Sequence, residues 1–151
     1  ETFMVAVESK CLEFLKEPKP HFSASYDRIS DFRSRTGWFK HIAVLRAKPE
    51  TYQFLDAAQL IKHYLGLAHC YASRTIKLLY LFWEPVNAGS FSEFAEHRGE
   101  IERFKQAVGD SSVAFEAMSC LELWQSWLTL AKPVWVKRHV KSLRDRYEVR
   151  I

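Results

Sequence analysis

The 151-residue chain is 48% apolar and 15% aromatic, with a formal net charge of +4, which excludes a disordered polyelectrolyte and leaves enough chain for one buried core. Its longest wholly apolar run, residues 78–83, is far too short to span a bilayer. Three scattered cysteines, Cys11, Cys70 and Cys120, never form a C-x-x-C pair, which argues for reduced thiols in a cytoplasmic protein and against a disulfide framework or zinc site.

In chain order, residues 3–10 read as a strand buried on both faces, because the apolar run Phe3 to Val7 is continuous. Lys16 to Pro20 is a loop, and the Arg-rich stretch from Tyr26 to Arg35 predicts one or two helical turns. Residues 39–47 predict a short helix. Pro49-Glu50 then opens the longest helical signal, with Phe54, Ala57, Ala58, Ile61, Leu65, Ala68 and Tyr71 as its apolar stripe. Ile76 to Trp83 is a second buried strand, stopped by Glu84-Pro85.

Ser90 and Glu93 have capping-box spacing ahead of a helix that runs to about Val108, closed by Gly109-Asp110. Val113 to Met118 is a third strand. Ser119 and Glu122 repeat the capping-box spacing before a helix bearing Leu123, Trp124, Trp127 and Leu128. Pro133 opens the last helix, with the stripe Val136, Val140, Leu143 and Tyr147. Strands alternating with helices predict a single α/β domain over residues 1–151, a central mixed sheet flanked by helices.

The chemistry concentrates at Glu8-Ser9-Lys10. Residues two apart on a strand share a face, so Glu8 and Lys10 lie side by side where an apolar strand ends. A carboxylate there is a hard ligand for Mg²⁺, and the backbone carbonyl of Ser9 adds a second oxygen. The ammonium can position a water and stabilise charge developing on a phosphate. The residues alone favour a plain strand-end ion pair over this chemistry. Glu17-Pro18-Lys19 matches the same E-x-K pattern in a proline-flanked loop, without the apolar strand that distinguishes Glu8.

The stretch VAVESKCLEFL, followed by KPHFSASY, resembles the catalytic-strand region of the PD-(D/E)XK nuclease superfamily, and is most similar to a family of restriction endonucleases there. The similarity continues through YQFLDAAQLIKHYLGL, LLYLFWEP, AEHRGEIERF and HVKSLRDRY, covering nearly the whole chain. The resemblance implies a restriction-endonuclease-like core that cuts DNA with Mg²⁺, or Mn²⁺ in its place, with Glu8 as metal ligand and Lys10 positioning the attacking water. A homodimer is compatible with it, and no membrane is implied. That pattern also requires an acid, usually Asp, on the strand before E-x-K. Glu1 cannot stand in, because its odd separation from Glu8 puts it on the opposite face. The chain is therefore expected to lack the first elements of the core and to cut little by itself.

In the long helix, Asp56, Gln59 and His63 form one polar line, with Lys62 beside it. The resemblance implies that Gln59 and Lys62 act near the active site; a solvated helix face is the alternative, and the preferred one for His63. Glu13, on a strand that continued, would face away from Glu8. The surplus of five positive charges over residues 132–151 suits a polyanionic partner and equally an ordinary solvated helix. Lys137, Lys141 and Arg144 can share one face of the last helix, and Arg28 and Arg33 add a basic region after the catalytic strand; both sets are candidate DNA contacts, with scattered surface arginines the simpler account of the second. The rival readings are a catalytically inactive nucleic-acid-binding or protein-interaction module of the same fold, and an unrelated α/β domain with a chance E-x-K.

Overall fold

The computed structural model describes residues 3–16, 20–26, 37–71, 74–109, 113–130 and 133–151. Three strands, β1 (Phe3–Lys10), β2 (Thr75–Phe82) and β3 (Val113–Ser119), form a sheet in the order β1-β2-β3. Helices α1 (Gly37–Ala47) and α2 (Ala57–Cys70) lie between β1 and β2 in the chain. Helix α3 (Ser92–Val108) lies between β2 and β3, and α4 (Cys120–Leu130) and α5 (Val134–Tyr147) follow β3. Each pair of neighbouring strands is joined through helix, which returns the chain to the same end of the sheet. The described strands are accordingly all parallel, not mixed, with Glu8 opposite Tyr80 and Leu78 opposite Phe115.

The helices bury one face of this sheet. Ile76, Leu78, Tyr80 and Phe82 of β2 are buried, with Val113 and Phe115 of β3 on the same side. Trp38 of α1 stacks on Tyr64 of α2 at 4.6 Å and meets Phe104 of α3 edge-on at 5.3 Å, so three helices share one aromatic centre. The α4–α5 pair has its own small core of Trp124, Val136 and Val140.

The expected two-sided burial of β1 does not occur. Val5 and Val7 are 46% and 55% exposed. A continuous apolar run is compatible with either arrangement; here β1 is an edge strand, and its odd-numbered side chains emerge on the face away from the buried core. Lys77 and Glu116 pair across that face at 3.2 Å.

The start of α2 also differs from the sequence expectation. Pro49 begins only a short 3₁₀ turn, and the helix starts eight residues later, at Ala57. Tyr52 is extended and buried, its hydroxyl 2.8 Å from His41 Nε2, which breaks any helix running from Pro49. Asp56 then caps α2 by accepting the Gln59 N–H at 2.9 Å. The capping box at Ser119 and Glu122 forms reciprocally, with contacts of 2.6 and 3.2 Å. The one expected at Ser90 and Glu93 does not: Phe91 is the N-cap there, without a side-chain bond. The Arg-rich segment with Arg28 and Arg33 lies outside the described residues.

Candidate functional site

Glu8 and Lys10 emerge from the C-terminal half of β1 on the face covered by α2. In open parallel α/β sheets, ligands bind outside this end of the strands. One turn of α2 separates Gln59 from His63, so both side chains leave the helix on the same side. That side meets β1. Lys10 Nζ is 3.1 Å from Glu8 Oε1 and donates to Gln59 Oε1 at 2.8 Å. His63 Nε2 is 2.9 Å from Glu8 Oε2.

Four polar side chains from two elements thus converge, three of them at positions expected to act together. His63, read from sequence as a solvated residue, belongs with them. The signal was present in the four-residue step from Gln59, but only the packing of α2 on β1 gives that step a direction. Lys62 turns elsewhere, with its Nζ 5.7 Å from the centre of the Phe22 ring. Gly66 on the same helix does not serve close packing, since a Cβ there would meet nothing within 4 Å.

The Glu8 and Lys10 side chains keep 15% and 18% of their surface exposed, so the pair is neither sealed under α2 nor fully solvated. Beside Lys10 opens a cleft of about 240 Å³ lined by Lys10, Glu13, Phe14, Lys16, Phe54, Asp56 and Tyr80. Glu13 reaches it because β1 stops at Lys10 and the chain turns through a 3₁₀ segment; the strand does not continue as assumed. Its carboxylate accepts the Cys11 N–H at 2.6 Å. Backbone N–H groups of Glu13 and Cys11, aided by the Lys10 charge, hold the carboxyl below its ordinary range.

Glu100 and His97 of α3 support the cleft from behind. Buried Glu100 accepts the backbone N–H groups of Gln53, Phe54 and Leu55 at 2.6, 2.8 and 2.8 Å, fixing the segment that delivers Asp56 and Gln59. His97 is fully buried, stacks on Phe14 at 4.0 Å and lies 3.0 Å from the Tyr80 hydroxyl. Burial, with the nearby Arg98 charge, pushes its imidazole down to about 4, so it is neutral near pH 7. The Tyr80 phenol is pushed far above its ordinary range by burial first and the Glu8 carboxylate second. It therefore stays protonated, and its hydroxyl shares one hydrogen bond with His97 Nε2.

Among the described residues, no three His, Cys, Asp or Glu side chains converge closely enough to cage a metal ion. The donors present suit a cation that keeps several waters and takes further oxygens from a bound phosphate, as Mg²⁺ does. Glu8 supplies a carboxylate. The Lys10 carbonyl accepts the Trp83 N–H at 2.9 Å, toward β2. Strand alternation therefore aims the Ser9 carbonyl at the opposite side, the outer edge of β1.

The candidate DNA contacts on α5 are partly engaged within the protein. Lys141 pairs with Asp145 at 2.6 Å, and Arg144 donates to Gln125 of α4 at 3.0 Å while lying 3.4 Å from Glu148. Lys137 is exposed. No helix among the described residues is long and apolar enough to cross a membrane. No curated protein and no solved structure matches the chain. A family model for restriction endonucleases associating with ARP matches residues 3–148, nearly the whole length, and the chain belongs to that family, REase-ARP.

Proposed function

We propose that the chain is a nuclease domain hydrolysing DNA phosphodiester bonds at the Glu8–Lys10–Gln59 cluster. The observation that carries this reading is the double anchoring of Lys10, whose ammonium is fixed by Glu8 at 3.1 Å and by Gln59 at 2.8 Å beside an open cleft. A surface lysine with no task would lose side-chain entropy in such an arrangement for little return. Family membership supports a restriction-endonuclease role, with DNA as the partner.

Glu8 and the Ser9 carbonyl would hold Mg²⁺, which supplies positive charge against the phosphate when bound. The Lys10 ammonium orients the attacking water and stabilises charge on the phosphoryl oxygens as the water oxygen bonds to phosphorus and one ester P–O bond breaks; the water gives up a proton to solvent, and the leaving oxygen takes one from solvent. Gln59 keeps the ammonium from collapsing onto Glu8 alone. In protein competent to cut DNA, Lys10→Ala should lower the rate of cleavage by about 10²–10³ and change DNA affinity far less. Single-turnover cleavage at saturating protein, alongside equilibrium binding, measures the two separately. A Lys10→Ala protein that cuts at the native rate would end this reading.

A further inference from the structure

We infer that His63 is a second side-chain ligand to the cation held by Glu8, so that the site takes a first-row transition ion such as Mn²⁺ ahead of Mg²⁺. This rests on the reading of Glu8 as a cation ligand and deepens it.

The imidazole Nε2 is 2.9 Å from Glu8 Oε2, yet this buried atom makes no aligned hydrogen bond among the described residues. Two electron-rich atoms that close repel unless a proton or a cation is shared between them. A shared proton would put the N–H along the line of contact. A shared cation would not. Two ligands at right angles, each about 2.1 Å from one ion, are about 3.0 Å apart, with their lone pairs aimed roughly 45° off the line joining them. The observed separation and misalignment both match that edge of an octahedron.

The carboxylate is divided to suit. Lys10 occupies Oε1 at 3.1 Å, leaving Oε2 to face His63. A pocket of about 80 Å³ opens there, lined by Glu8, His63, Val7 and the apolar Ala6, Leu67 and Leu78. The remaining positions around the ion fall to the Ser9 carbonyl, to water and to phosphate oxygens. An all-oxygen site suits Mg²⁺, whereas imidazole nitrogen shifts preference toward Mn²⁺, Co²⁺ and Ni²⁺.

The test is metal binding by the full chain without DNA, using Mn²⁺ and Mg²⁺ alone and calorimetry for affinity. His63→Ala should weaken Mn²⁺ binding at least 10-fold and Mg²⁺ binding less than about 3-fold, with Glu8→Gln removing both. In the native chain, pulsed EPR of bound Mn²⁺ should show hyperfine coupling to a directly bonded imidazole nitrogen, which proximity alone does not give. Circular dichroism checks that the variants fold, and the EPR readout needs no variant. If Glu8→Gln abolishes binding while His63→Ala changes nothing and no nitrogen coupling is seen, the inference falls and the Glu8 metal reading stands. If Mn²⁺ binds independently of both residues, the two fall together.

Discussion

At the scale of single residues, Lys10 has two partners that do different work. Glu8 neutralises it, while Gln59 offers a carbonyl oxygen without charge and so fixes direction without changing the electrostatics. Gln59→Ala should leave the ammonium in place but free to swing, and misplacement by about 1 Å can cost on the order of 10²-fold in rate. The expected outcome is a cleavage rate reduced by about 10–100-fold with DNA affinity nearly unchanged, read in the same single-turnover assay. A loss equal to that of Lys10→Ala would mean that Gln59 acts on the substrate itself.

At the scale of elements, α2 carries the site, and the protein invests in where that helix begins. Asp56 caps it, and the buried carboxylate of Glu100 gathers three N–H groups of the preceding loop. The rest of the helix is less optimised. Gly66 sits in its interior, exposed, with nothing within 4 Å of an added Cβ. Gly66→Ala should therefore raise stability by roughly 0.5–1 kcal/mol, because alanine loses less backbone freedom on entering a helix. Urea unfolding monitored by circular dichroism measures it, and a destabilised variant would mean that something unseen packs there. On α5, the exposed Lys137 and the Asp145-paired Lys141 make a separate case. If that face meets DNA phosphates, neutralising each should flatten the salt dependence of binding by about one unit of slope. Cleavage at saturation should be unchanged. Salt titrations of binding decide it.

At the scale of the whole molecule, stability is tied to pH through a histidine that binds nothing in the proposed reaction. His97 is held neutral, at about 4 against an ordinary 6.5, so between those values the unfolded chain binds a proton that the folded chain refuses. Stability from this group is complete above about pH 6.5, falls as pH drops toward 4, and changes no further below. The full loss amounts to roughly 3 kcal/mol. Carboxylates contribute their own slope in that window, so the informative comparison is with His97→Gln, whose profile between pH 4.5 and 7 should be flatter. Because His97 stacks on Phe14 and bonds Tyr80, both of which line the cleft, acid unfolding should reach the site early.

The amino-acid sequence by itself determined the alternation of strands and helices, because burial periodicity and capping residues are local properties. The Ser119–Glu122 box and the strand ending at Lys10 were legible for that reason. It also placed Glu8 and Lys10 on one face, since strand parity admits no other arrangement. Only the tertiary structure decided which face of β1 is buried, because Val5 and Val7 are as apolar as a core requires and still lie on the uncovered side. It alone decided that Glu13 turns into the cleft and that Lys62 turns to Phe22. And it alone brought His63 to Glu8: a four-residue step along α2 fixes two side chains relative to each other, while the packing of that helix on β1 fixes what they meet.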